Sequence, residues 1–288
     1  MTEAQVVGLA AALLAAAVFG AAAVAQAQAV RRFDGARAGL GHFVVRSLRD
    51  PRTMLVVVAY GVGFVLHAVS IWLLPLYLAQ AAIALSLPVT ALASTRIESG
   101  LTRAHRYAVG IVTVGLVLLG LGSGPAGELI ADNSFALWLW LGFAVLLGAS
   151  LGRRRWSGAT LGTLAGLGYA GSAIAVRGVG SPVDVAVVAA ALSVPAYGLV
   201  AFWLYSLGLH STAVSSATAP LIVMQTFGPA LVGVLVLGDG ARPGWTPAIV
   251  SGLVLSTLGA VWLSRSPLRT PGAAETASSP GPARRSAR

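Results

Sequence analysis

The chain has 288 residues, of which 57% are hydrophobic and only 10% charged, with a mean hydropathy of +0.83. A water-soluble domain carries about 25% charged residues, so most of this chain is built for lipid, and the absence of cysteine excludes disulfides, thiolate metal sites and cysteine nucleophiles. All 19 basic residues are arginines and the net charge is +10, yet the arginines lie between apolar stretches, which ties them to membrane orientation and leaves no argument for nucleic acid.

A transmembrane helix needs about 20 apolar residues to cross roughly 30 Å of hydrocarbon. Nine stretches qualify, at about 4–28, 55–75, 78–96, 105–122, 135–151, 156–177, 184–206, 211–237 and 245–264. The expected fold class is therefore all-α: a polytopic membrane protein of nine transmembrane helices, one transporter domain over 1–265. The first stretch ends in Ala25-Gln26-Ala27-Gln28-Ala29, which looks like a signal cleavage site. Its start, however, carries Glu3 and no arginine, while Arg31 and Arg32 follow it, so it reads as a retained helix. Residues 54–95 would make one helix of roughly 63 Å, about twice the hydrocarbon thickness. The chain must turn back, and Leu73-Leu74-Pro75-Leu76-Tyr77 is the expected hairpin. Residues 185–237 would span roughly 80 Å, and the polar break Leu207-Gly208-Leu209-His210-Ser211-Thr212 is expected to divide them. Residues 266–288, rich in Pro, Ser, Ala, Gly and Arg, read as a disordered cytoplasmic tail.

Seventeen arginines fall on one side of this topology: six between Arg31 and Arg52, then Arg96, Arg103 and Arg106, then Arg153, Arg154 and Arg155, and five in the tail. Only Arg177 and Arg242 fall on the other, beside Glu128, Asp132, Asp184 and Asp239. The positive-inside bias puts the N-terminus outside and the C-terminus in the cytoplasm. Trp72, Trp138, Trp140 and Trp245 then sit at outer ends, and Trp156, Trp203 and Trp262 at inner ends, as an aromatic belt would.

Pro88 and Pro229 lie 141 residues apart, as do Glu98 and Asp239. Each pair places a proline in an apolar helix and an acid ten residues later, followed by a glycine and a helix with spaced glycines (Gly110, Gly115 and Gly120; Gly252 and Gly259). Helices two to four thus match helices seven to nine. The displacement is five helices, an odd number, so the copies are expected to be inverted, four helices (about 4–122) plus five (about 135–265). Inverted repeats with interrupted helices are a mark of secondary transporters.

The run from Leu74-Pro75-Leu76-Tyr77-Leu78-Ala79-Gln80 through Leu85-Ser86-Leu87-Pro88 to Ile97-Glu98-Ser99-Gly100-Leu101-Thr102 resembles the drug/metabolite transporter superfamily (EamA-like), and Leu237-Gly238-Asp239-Gly240-Ala241-Arg242 is its counterpart. The resemblance covers about 55–265 and implies an inverted-repeat transporter; the usual member has ten helices, and a missing first helix would give nine with an outside N-terminus. Nine helices also make the chain similar to the NIPA-type magnesium-transporter branch. Neither turn carries the family's arginine directly after the acid.

Polar groups at membrane depth are the candidates for solute contact. His67 lies near the middle of the second span, and Gln80 and Gln225 share helix faces with Pro88 and Pro229. The prolines free the carbonyls of Ala84 and Gln225, and carbonyls plus carboxamides make a neutral polar site where the halves meet. Tyr169, Ser193, Tyr197 and Thr226 can add hydroxyls, Glu98 and Asp239 stand as repeat-motif acids, and Gly158, Gly162 and Gly166 form a face for close helix packing. The competing reading of every polar residue is helix packing. The sequence shows no zinc-protease motif, phosphate-binding loop or nucleophile elbow, and no paired acids within the membrane, so it points away from an enzyme and to no cofactor or metal. The expectation is a secondary transporter or facilitator of small neutral or anionic organic solutes in the cytoplasmic membrane, in contact with lipid, with a homodimer left open. A divalent-cation transporter of the same fold, or a non-transporting scaffold, are the alternatives.

Overall fold

The computed structural model describes residues 3–31, 39–73, 82–83, 85–94, 103–122, 132–179, 182–236 and 241–265. Of these, 91% are helical, and no strand occurs among them. The helices are α1 (Glu3–Arg31), α2 (Leu40–Arg49), α3 (Pro51–Leu73), α4 (Ser86–Ser94), α5 (Arg103–Gly122), α6 (Asn133–Ser150), α7 (Gly158–Arg177), α8 (Val185–Ser211), α9 (Val214–Leu235) and α10 (Thr246–Arg265), with a 3₁₀ turn at Leu151–Arg155 after α6. Described helices overlap the expected apolar stretches, but the third stretch, 78–96, is described as a helix only over Ser86–Ser94 and at Ala82 and Ile83. Five of the described helical stretches are both long and apolar enough to cross a membrane: Val6–Arg31, Pro51–Ser70, Asn133–Arg153, Gly158–Val176 and Val185–Ser211; Arg106–Leu119 and Thr246–Gly259 are shorter apolar stretches. The protein is thus membrane-embedded by the character of its helices.

Side-chain caps set the helix starts. The carboxylates of Asp50, Asp132 and Asp184 accept from the backbone N–H groups of Thr53 (2.8 Å), Phe135 (2.7 Å) and Val187 (2.8 Å), and the Ser157 hydroxyl accepts from Thr160 (3.1 Å). Each satisfies a first-turn donor that has no partner inside its own helix. The expected break at 207–212 lies further on: α8 runs to Ser211, whose hydroxyl donates to the carbonyls of Leu207 and Gly208, and the chain turns only at Thr212-Ala213. Pro88 is the third residue of α4, in the first turn, where a missing N–H costs the ladder nothing; Pro229 sits inside α9, as do Pro195 in α8 and Pro220 in α9. Trp138 and Trp262 are exposed, but Trp203 is 2% exposed, covered by the Arg153 guanidinium 5.0 Å from its ring, and so is no belt residue. The hairpin at 74–77 and the tail 266–288 lie outside the described residues.

Glycines bring the helices together. Side by side and parallel, α7 and α9 meet where Gly162 faces the backbone of Ala217 and Gly166 that of Leu221. No Cβ would fit at these two positions, which is the close packing expected of the glycine face on α7. Helices α5 and α10 pack antiparallel, with Gly115 against Gly252 and Ser256, Gly122 against Ile249, and Gly259 against Ala108 and Val112. α1 packs on α3 and α4, and α7 on α8 and α9.

Candidate functional site

Three helices from the first part of the chain (α1, α3 and α4) and three from the second (α7, α8 and α9) surround a cavity of about 540 Å³. That volume suits a small organic molecule. Six aromatic rings line it: Phe19 on α1, Tyr60 and Phe64 on α3, Tyr169 on α7, and Phe202 and Tyr205 on α8. The polar groups are few: His67, Ser86, Thr90, Ser172, Thr218 and Gln225. No arginine or carboxylate occurs on this wall among the described residues.

Most of the hydroxyls are committed to backbone or to one another. Thr90 donates to Ser86 (2.9 Å) and reaches the Gly20 carbonyl (3.3 Å), Ser172 donates to Val194 (3.1 Å), and Tyr205 pairs with Thr218. Ser70 lies 3.3 Å from His67 Nδ1 and donates to the His67 carbonyl at 2.7 Å. Such bonds use up several hydroxyl donors, so the wall presents mainly ring faces and methyl groups, with the Gln225 amide, the His67 imidazole and the hydroxyls of Tyr169 and Ser86 as its polar handles.

Beyond Ala23 on α1, Gln26 joins the two groups of helices. It is 1% exposed; its carbonyl oxygen accepts from the Tyr60 hydroxyl (2.8 Å), and its amide donates to Ser206 (2.7 Å) and to the Phe202 carbonyl (3.3 Å). One side chain thereby ties α1, α3 and α8. A turn further along, Arg31 donates to the carbonyls of Leu209 (3.2 Å) and Thr212 (3.0 Å), satisfying acceptors at the C-terminal end of α8.

Of the expected site residues, His67, Tyr169 and Gln225 come together on the cavity wall. Ser193 is buried and donates to Ala190 in its own helix (2.7 Å), while Tyr197 donates to Leu139 (2.7 Å) and ties α8 to α6. Thr226 is buried off the wall, and Pro88 and Pro229 do not line it. Gln80, Glu98 and Asp239 lie outside the described residues. Tyr60, Tyr205, Thr218 and Pro195 join the site without having been expected there. Aromatic residues in apolar helices look like ordinary core, and only tertiary packing turns them toward a void. The chain was compared with models of known protein families, with curated proteins and with solved structures, and nothing matches it.

Proposed function

We propose that the chain is a secondary carrier or facilitator in the cytoplasmic membrane, built from nine spans in two inverted halves, with its N-terminus outside and its solute held in the α1/α3/α4–α7/α8/α9 cavity. One observation carries the reading: three helices from each half enclose a molecule-sized, ring-lined cavity. Duplication is supported by packing, since α1 lies on α3 and α4 as α7 lies on α8 and α9. It is supported again by spacing. Moved along by the 141 residues that separate Pro88 from Pro229, the wall residues Val57, Gly61 and Phe64 become Gly198, Phe202 and Tyr205, all on the wall as well. The same shift takes Gly115 to Ser256, and these two face each other midway along the antiparallel α5–α10 contact. A twofold axis relating inverted copies would pass through such a pair.

The wall favours uncharged solutes with a flat, apolar body. Rings bind by stacking and edge contacts, whereas an anion would meet no arginine on the described wall and a divalent cation no carboxylate. Purified protein in liposomes, offered uncharged aromatic solutes and, separately, Mg²⁺, tests this against empty vesicles. Gly61 and Gly198 line the cavity, and a Cβ at either meets nothing within 4 Å. Gly61→Leu and Gly198→Leu start a side chain into the void from positions where its Cβ has room, so aromatic flux falls at least severalfold, while Gly61→Ala and Gly198→Ala leave the melting temperature unchanged or raised. Flux of Mg²⁺ alone would favour the cation reading. No flux of either kind would leave a scaffold.

A further inference from the structure

We infer that the Gln225 carboxamide reads the solute in the cavity and selects uncharged ring compounds that carry an N–H beside a C=O: amides, lactams and heterocycles built like them. The inference deepens the carrier reading and rests on it. Gln26 and Gln225 show two uses of one side chain. Gln26 commits its amide to the protein, bonding Tyr60, Ser206 and Phe202. Gln225 lines the cavity, half-buried on α9, and its carboxamide bonds no other described residue. An amide that held helices together would bond across to one of them; this one stands at the void with its acceptor and both donors open. Its main-chain carbonyl gains no ladder bond either, because Pro229, four residues on inside α9, has no N–H.

On the wall, α9 presents Thr218, Leu221, Ile222 and Gln225, the spacing of one helix face. Thr218 is bonded to Tyr205 and to the Val214 carbonyl, and Gln225 stands about 10 Å further along the helix. Leu221 and Ile222 lie between them, so an apolar body fits along this stripe and a polar edge at its far end meets Gln225. The other polar handles cannot read such an edge. A hydroxyl, as on Tyr169 or Ser86, has one proton to give, and the two nitrogens of the His67 ring point apart, with Nδ1 3.3 Å from the Ser70 hydroxyl. A carboxamide holds donor and acceptor side by side in one plane. It pairs with a matching N–H and C=O through two bonds at once, as a glutamine does on the edge of adenine. A solute lacking either group leaves half of the amide unpaired on an apolar wall, which costs affinity.

The test is binding to the purified full chain, read by isothermal titration calorimetry against detergent alone. Three probes share one ring and one shape: benzamide, acetophenone, which has a methyl in place of the amide nitrogen, and α-methylstyrene, which lacks the carbonyl as well. Wild type binds benzamide about tenfold or more tighter than acetophenone. Gln225→Leu lowers benzamide affinity to that of acetophenone and leaves α-methylstyrene binding within about twofold. Its melting temperature stays at the wild-type value, because no other described residue loses a bond. Equal binding of benzamide and acetophenone by wild type, or a benzamide preference that persists in Gln225→Leu, would overturn the assignment; with all three probes still bound, the ring-lined cavity reading stands. Binding of none of the three would remove that reading and this inference with it.

Discussion

Gln26 shows how one amide can hold helices that lipid alone would not. Apolar helices gain nothing by leaving lipid for one another, so association depends on close packing and on hydrogen bonds of about 0.6 kcal/mol each. Gln26 makes three such contacts, to Tyr60, Ser206 and Phe202. Gln26→Ala removes all three and leaves the Tyr60 hydroxyl without its acceptor, so unfolding in detergent becomes easier by about 1 to 2 kcal/mol. Adding Tyr60→Phe then costs less than it does in wild type, and a double-mutant cycle by thermal melting measures the difference. The sequence hides this residue, because Gln26 sits in an Ala-Gln-Ala-Gln-Ala run that reads as a cleavage-like motif. By contrast, His67, Tyr169 and Gln225 stand out as polar groups in apolar helices, and the fold gathers them at one wall.

Among the elements, apolar length made the all-helical, membrane-embedded character legible, and five of the expected stretches correspond to helices long and apolar enough to span. The capping roles of Asp50, Asp132 and Asp184 show only in the fold. α2 escaped because six arginines between Arg31 and Arg52 look like a loop. Its signal was the 3.6-residue spacing of Leu40, Phe43, Val44 and Ser47 between arginines. The glycine face of α7 was legible too, and a matched pair of substitutions distinguishes contact glycines from incidental ones. A Cβ at Gly162 would collide with the backbone of Ala217, whereas one at Gly110 meets nothing within 4 Å. Gly162→Ala forces α7 away from α9 and destabilises by about 2 kcal/mol or more. Gly110→Ala is neutral or stabilising by about 0.5–1 kcal/mol. Thermal melting of the two variants side by side checks both signs.

For the molecule as a whole, the proposed inversion has a topological consequence. Glu98 and Asp239, the matched acids of the two halves, belong on opposite faces of the membrane. Because the chain has no native cysteine, Glu98→Cys and Asp239→Cys each introduce one thiol. An impermeant maleimide added to intact cells labels the second and spares the first until the membrane is opened; labelling of both from one side would remove the inverted duplication. Sequence could suggest this symmetry through two prolines and two acids, but not where the copies touch. The meeting of Gly115 with Ser256, or the presence of both Val57 and Gly198 on one cavity wall, depends on how helices tilt and rotate, which spacing along the chain does not encode.

The neutrality of the cavity wall extends to energetics. If the cargo is uncharged as proposed, a chamber whose described wall carries no arginine or carboxylate gives the membrane voltage nothing to pull on, where each elementary charge carried across would be worth about 2.3 kcal/mol per 100 mV. Clamping the potential with a potassium gradient and an ionophore therefore leaves turnover unchanged. A rate that followed voltage would single out His67, the imidazole among the described wall residues, as a proton carrier.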